Sequence, residues 1–99
     1  MTDYPWTRHY PKGLQWDCDL TLKPVTAMLD DTAQRFGDHT AIDFMGKKTS
    51  YAELHDKALR LATGLRKLGV RRGVKVGLVL PNCPQFVTAY YGILYAGGT

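Results

Sequence analysis

Seven residues, Val74-Lys75-Val76-Gly77-Leu78-Val79-Leu80, are nearly continuous in apolar side chains and too few for a helix. Such a run predicts a strand covered on both faces, as in a parallel sheet. Pro81 stops it. From Pro84 onward, Phe86, Val87, Ala89, Tyr90, Tyr91, Ile93, Leu94, Tyr95 and Ala96 surround a helix with apolar or aromatic groups, so that helix must be buried nearly all round. Asn82-Cys83-Pro84-Gln85 predicts a capping box at its start, with proline where no amide hydrogen is missed, and Gly97-Gly98 closes it. Strand, tight turn and buried helix are two-thirds of a βαβ unit, whose return strand supplies the neighbouring hydrogen bonds. A lone inner strand leaves unpaired edges, so the sequence is expected to be a piece of a longer α/β protein.

The elements upstream are smaller. Residues 1–21 hold Pro5, Pro11, Gly13 and the aromatics Tyr4, Trp6, Tyr10 and Trp16 without a sustained period. They predict an irregular arm that packs across the body of a larger protein or a partner subunit. Val25, Met28, Leu29, Ala33 and Phe36 follow a helical stripe, with Pro24 at an early helical position and Gly37 as the stop. Ala41 to Met45, then Gly46, then Lys47 to Ser50 predict a hairpin.

Ser50-Tyr51-Ala52-Glu53 is a second capping signal. The hydroxyl is expected to accept from the Glu53 amide while the carboxylate reaches back to the Ser50 amide. Leu54, Ala58, Leu61, Ala62, Leu65 and Leu68 then form one apolar face, Glu53 with Lys57 and Asp56 with Arg60 pair four residues apart, and Gly69 ends the helix. Residues 22–99 thus give the order helix, hairpin, helix, inner strand, buried helix.

Composition narrows the class. The chain is 44% hydrophobic and 22% charged, too apolar for disorder, and no run of 18 apolar residues marks a membrane span. The first sixteen residues lack the apolar block of a secretory signal, so the expected compartment is the cytoplasm. Cys18 and Cys83 stand 65 positions apart with no partner at metal-ligand spacing, which favours free thiols. Residues 1–50 carry six Lys/Arg against seven acids, net −1, and residues 51–99 carry seven against two, net +5. The excess lies in Arg66, Lys67, Arg71, Arg72 and Lys75. These cations can meet phosphate, yet Arg66 and Lys67 also suit the carbonyl end of a helix, and no aromatic residues interleave with them for stacking on bases.

Taken in order, Ala33-Gln34-Arg35-Phe36-Gly37-Asp38, the hairpin, Ser50-Tyr51-Ala52-Glu53-Leu54, Leu68-Gly69-Val70, Val76-Gly77-Leu78-Val79-Leu80-Pro81-Asn82-Cys83-Pro84-Gln85-Phe86 and Tyr91-Gly92-Ile93-Leu94-Tyr95-Ala96-Gly97-Gly98 closely resemble the opening of the adenylate-forming (AMP-binding) enzymes. The resemblance covers residues 24–99. Tyr10-Pro11-Lys12-Gly13 is most similar to the bacterial long-chain fatty acid CoA ligases. One departure is Gly73-Val74-Lys75, where the family usually places an aspartate after the glycine.

The resemblance implies that the chain is the N-terminal part of the large domain of such an enzyme. It also implies a two-step reaction in which a fatty acid carboxylate attacks the α-phosphate of ATP and the CoA thiol then displaces AMP, with Mg2+ neutralising phosphate charge. ATP, Mg2+ and CoA are thus implied for the full-length parent and none for this segment. The chemistry needs a phosphate loop, an acidic residue and a mobile lysine, which in the family lie downstream. No catalytic, cofactor-binding or metal residue is therefore expected here, and the isolated 99 residues are expected to be inactive.

Individual residues point the same way. His9, His39 and His55 are scattered through arm, loop and helix surface without a nucleophile constellation. Glu53 is assigned to capping, Tyr90, Tyr91 and Tyr95 to core or sheet contacts rather than an acyl-pocket lining, and Cys83 to a packed turn. Expected partners are the remainder of the parent enzyme and a fatty acid substrate, with no nucleic acid; a peripheral membrane contact and a homodimer stay open. Two alternatives stand beside this reading. One is the same segment of an enzyme that activates aryl or amino acids. The other is a self-contained basic module for nucleic acid or lipid.

Overall fold

The computed structural model describes residues 4–99; positions 1–3 of the expected arm lie outside the described residues. A 3₁₀ turn at Pro5–His9 is followed by α1 (Val25–Phe36), β1 (Thr40–Phe44), β2 (Lys47–Ser50), α2 (Tyr51–Lys67) and α3 (Pro84–Tyr95). The long α2 is the centre. It packs most extensively on α3 and next on α1, and the hairpin lies against its first turns.

Pro24 takes the N-cap of α1 rather than the first helical position (φ −59°, ψ 148°), and Gly37 follows the last turn as expected. In the hairpin, β1 and β2 pair antiparallel from Thr40 opposite Ser50 to Phe44 opposite Lys47, with an irregularity between Thr40 and Ile42. Met45 and Gly46 both have positive φ, 52° and 86°. That is the mirror-image turn whose twist matches the flanking strands.

The first amides of α2 find partners one by one. Tyr51 donates to the His39 carbonyl (3.0 Å), Ala52 to the Gly37 carbonyl (3.0 Å) and Glu53 to Ser50 Oγ (3.1 Å). The loop between α1 and β1 therefore serves as the cap of α2, and it sets the angle at which α1 meets α2. The return half of the expected capping box differs: the Glu53 carboxylate accepts from the Ser50 hydroxyl itself (3.3 Å), not from its amide. Only one of the two expected charge pairs forms, Arg60 with Asp56 at 2.9 Å, because Glu53 is drawn toward Ser50.

On the apolar face of α2, Leu54, Ala58 and Ala62 are buried, and Leu61 and Leu65 are half-buried. Leu68 is 83% exposed, which corrects its assignment to that face. It is the C-cap residue, where the chain turns away from α3. The small residues matter for helix packing: a β-carbon on Gly92 of α3 would stand 2.9 Å from Leu61 Cδ2, so even an alanine there would have to push Leu61 aside. Both helices end alike. Val70 and Gly69 donate back to Leu65 and Arg66, and Gly98 and Gly97 donate back to Ile93 and Leu94, around left-handed glycines at 69 and 97. This is the Schellman closure, which binds otherwise orphaned carbonyls.

One expectation for residues 74–99 is corrected. The N-cap of α3 is Cys83, not Asn82, and no side chain caps it, so the capping box is absent. Within this chain α3 buries Gly92, Ile93 and Ala96, whereas Tyr90 is exposed and most others are half-exposed. The run Val74 to Leu80 is extended, and this chain covers one of its faces. Val74, Val76 and Leu78 are half-buried, while Val79 is 95% exposed.

The backbone of this run makes two lateral hydrogen bonds. Thr99 donates to the Val74 carbonyl and Val76 donates to the Thr99 carbonyl, each at 2.8 Å. That alternation about Lys75 is the pattern of a parallel ladder. α3 thus returns the chain beside its own preceding strand, in the manner of a βαβ crossover. Gly77 to Leu80 have no backbone partner among the described residues.

Tyr4, Trp6 and Trp16 pack on one another, with ring centroids 4.5 to 6.4 Å apart, and Leu14, Leu20 and Leu22 are exposed. A radius of gyration of 17.5 Å, against about 13 Å for a compact chain of this length, records how far the arm and the extended run stand off.

Candidate functional site

Three helices meet at one polar cluster. Thr26 and Asp30 lie one turn apart on α1, His55 follows the buried Leu54 on α2, and Tyr95 is the last residue of α3. The Tyr95 hydroxyl donates to Asp30 Oδ1 (2.5 Å) and lies 3.2 Å from the Thr26 carbonyl. His55 Nε2 stands 2.8 Å from the same Oδ1, and its ring meets the Tyr95 ring edge-on at 5.8 Å. A carboxylate only accepts, so Nε2 carries the proton that points at Asp30.

The cluster polarises its members in opposite directions. The Tyr95 hydroxyl, then the His55 contact, hold the Asp30 carboxyl below its ordinary value against the opposing effect of burial. Burial first, and the Asp30 hydrogen bond and charge next, push the Tyr95 phenol up. At neutral pH, Asp30 is therefore a carboxylate with two donors and Tyr95 a phenol fixed as a donor. This arrangement suits a tie between helices. None of the clefts of about 510, 470 and 370 Å³ is lined by Asp30, His55 or Tyr95: the smallest of them is lined by Lys57, Leu61, Leu80, Pro84, Gln85 and Thr88, among others, the second runs along Asp31 and Arg35 of α1, and the largest lies just past Tyr95 at the C-terminal turns of α2 and α3.

The other residues singled out in the sequence are dispersed. His9 sits in the 3₁₀ turn, and His39 packs on Phe36 with centroids 5.1 Å apart while its carbonyl caps α2. Glu53 belongs to the Ser50 cap. Tyr90 and Tyr91 contact each other edge-on at 5.4 Å. Cys18 is exposed, Cys83 is half-buried, and both are free thiols, as expected. The amides of Gly97 and Gly98 are bonded to Leu94 and Ile93, so this pair would have to give up the end of α3 to cradle a phosphate. Among the described residues, no three His, Cys, Asp or Glu side chains gather to hold a metal ion. The glycine pair and the donor set therefore do not fit a nucleotide phosphate with its magnesium.

Sequence reasoning placed His55 on a helix surface and Tyr95 among core contacts, and it missed Asp30 altogether. The available signal was weak. Thr26 and Asp30 are polar positions flanking the buried Leu29, and His55 adjoins the buried Leu54, so both lie at the margin of a core stripe.

At the opposite end of α2, Arg66 reaches across to α3. Its Nη2 donates to the Tyr95 carbonyl (3.2 Å) and its Nε to the Ala96 carbonyl (3.4 Å). A cleft of about 510 Å³ opens there, lined by Arg66, Lys67, Arg71, Arg72 and the turn residues Gly69 and Gly97, with Val70 and Ala96.

A hairpin feeding a capped helix, then an extended run and a helix that returns in parallel register, is the pattern that the sequence shared with one enzyme class. The family model for the AMP-binding enzymes matches residues 29–99, and the chain belongs to that family of adenylate-forming enzymes. Within it, the chain is 44% identical over 94 residues to a long-chain-fatty-acid–CoA ligase of Bacillus subtilis (strain 168), covering 95% of this chain and 17% of that enzyme. It also superposes on the N-terminal subdomain of NpsA from Klebsiella oxytoca with a TM-score of 0.75 and 27% identity, over 78% of this chain and 20% of that one. An anthranilate CoA ligase, AuaEII, solved in complex with anthranoyl-AMP, matches with a TM-score of 0.70 and 25% identity over 74% of this chain and 14% of its own. The chain thus spans about a fifth or less of the length of each. No helix among the described residues is long and apolar enough to cross a membrane.

Proposed function

We propose that this chain is the N-terminal structural segment of an ATP-dependent fatty acid CoA ligase, cytoplasmic, with ATP, Mg2+, CoA and the fatty acid held by other parts of the same enzyme. The observation that carries the reading is the 44% identity, over 94 residues, to the Bacillus subtilis ligase, which extends through the arm as well as the helices. The geometry supports a scaffold role. In the polar cluster Asp30 Oδ1 takes hydrogen bonds from both His55 and Tyr95, tying three helices, and the glycines after α3 close that helix. The exposed Val79 and Leu80 beside the unpaired amides of Gly77 to Leu80 suit a strand that the rest of the enzyme covers.

A second reading, activation of an aryl acid, is favoured by the likeness to the anthranilate CoA ligase. The two are separated by thioester formation in the full-length protein, supplied with ATP, Mg2+, CoA and either palmitate or anthranilate. The fatty acid reading expects palmitoyl-CoA and little anthraniloyl-CoA. The reverse preference overturns it in favour of the aryl acid, and no thioester with either, nor ATP–pyrophosphate exchange with any carboxylic acid, overturns both. The 99 residues alone should show no exchange.

A further inference from the structure

We propose that the cleft between the C-terminal turns of α2 and α3 binds a phosphate-bearing anion through Arg71 and Arg72. Helix C-termini normally repel anions, because their free carbonyls carry partial negative charge. Here most of those carbonyls are occupied, the Lys67 carbonyl excepted. The Leu65 and Arg66 carbonyls accept from Val70 and Gly69, those of Ile93 and Leu94 accept from Gly98 and Gly97, and those of Tyr95 and Ala96 accept from Arg66. The guanidinium of Arg66 thus neutralises the end of α3 and forms the floor of the cleft.

The remaining cations are uncompensated. Among the described residues, Lys67, Arg71 and Arg72 have no ion-pair partner; the three ion pairs use Lys23, His55 and Arg60 instead. The two acids of residues 51–99, Glu53 and Asp56, lie in the opening turns of α2. Asp56 is eleven residues from Lys67, about 16 Å along the helix axis. The backbone adds donors. The amides of Arg71 and Arg72 have no backbone partner among the described residues, and a β-carbon on Gly97 would stand 3.4 Å from the Arg72 nitrogen. Two guanidinium forks, an ammonium and open amides in a cleft of about 510 Å³ match the oxygens of a phosphate or diphosphate.

The test is protection of arginine from phenylglyoxal in the full-length protein, read residue by residue by mass spectrometry, with Arg35 and Arg60 as internal controls. The probes are inorganic pyrophosphate, vesicles of phosphatidylglycerol in phosphatidylcholine, vesicles of phosphatidylcholine alone, and sodium chloride at matched ionic strength. Modification of Arg71 and Arg72 should slow as 1 + [L]/Kd, about tenfold when the ligand stands at about nine times Kd, while the controls are unchanged. Protection by pyrophosphate assigns the site to a free phosphate; protection by the phosphatidylglycerol vesicles alone assigns it to a lipid headgroup. Direct binding adds a second readout. The Arg71→Gln/Arg72→Gln variant should lose one pyrophosphate-binding or vesicle-binding event that Lys47→Gln/Lys48→Gln, with equal charge loss on the hairpin, retains. Equal protection by sodium chloride, arginines unreactive before any ligand is added, or binding unchanged in the Arg71/Arg72 variant each overturns the proposal.

Discussion

Tyr95→Phe isolates what the polar cluster contributes to holding the three helices. The substitution keeps the ring that lies edge-on to His55 and removes one hydroxyl, which donates to Asp30 Oδ1 at 2.5 Å and approaches the Thr26 carbonyl at 3.2 Å. A hydrogen bond to a charged partner contributes about 1.5–3 kcal/mol, but two features lower that figure. The Asp30 side chain is 50% exposed and keeps its His55 contact, and the Thr26 carbonyl keeps its helical partner, so no buried group is orphaned. The expected loss is about 1 kcal/mol, a roughly fivefold change in an opening equilibrium.

Amide hydrogen exchange in the full-length protein reads that loss locally, as about fivefold faster exchange in peptides of α1 and α3 at pH 7. The pH dependence has a definite sign. Asp30 has a depressed folded-state value, so its contribution is present above the ordinary carboxyl value of about 3.9 and fades as pH falls through the folded one. Tyr95 has a raised value, so its contribution is present below the ordinary phenol value of about 10 and fades as the solution becomes more alkaline than that by the amount of the shift. The Phe penalty should therefore shrink when exchange is measured near pH 3. Unchanged exchange at pH 7, or the same penalty at both pH values, refutes the reasoning.

Other perturbations follow from single contacts. Ser50→Ala removes the acceptor for the Glu53 amide and should cost about 1 kcal/mol; an unmoved denaturant midpoint contradicts it. Gly92→Ala gains about 1 kcal/mol of helix propensity but forces a β-carbon to 2.9 Å from Leu61 Cδ2, and overpacking costs about 1–3 kcal/mol, so net destabilisation is expected in thermal melts. Met45→Asn should raise stability by up to about 1 kcal/mol, since Met45 is 91% exposed at φ 52° and asparagine tolerates that conformation in a mirror-image turn; a lowered midpoint would count against the turn assignment.

The parts of the fold legible in the sequence are those set by neighbours a few residues away. α2 declared itself through Ser50, the stripe from Leu54 to Leu65 and Gly69, and the hairpin through the break at Gly46. What the sequence hid depends on how elements cross. Leu68 matches the period of the α2 face yet falls beyond the reach of α3, and Val79 belongs to an apolar run whose second face this chain does not cover. Asn82 has the better capping side chain, but the chain enters α3 at Cys83, one residue later, because Pro84 fixes the first helical position. The cluster of Asp30, His55 and Tyr95 joins residues 25 and 65 positions apart, and no local pattern encodes such a meeting.

The proposed scaffold role, supporting an enzyme's chemistry without performing it, is most exposed at His55, an imidazole oriented by a carboxylate. ATP–pyrophosphate exchange by full-length His55→Ala, compared with the unaltered enzyme in its preferred carboxylic acid, decides it. A helix tie predicts exchange within about threefold once corrected for folded protein, together with a lowered melting temperature. Loss of about a hundredfold or more at an unchanged melting temperature is the scale of a missing general base, and would contradict the claim.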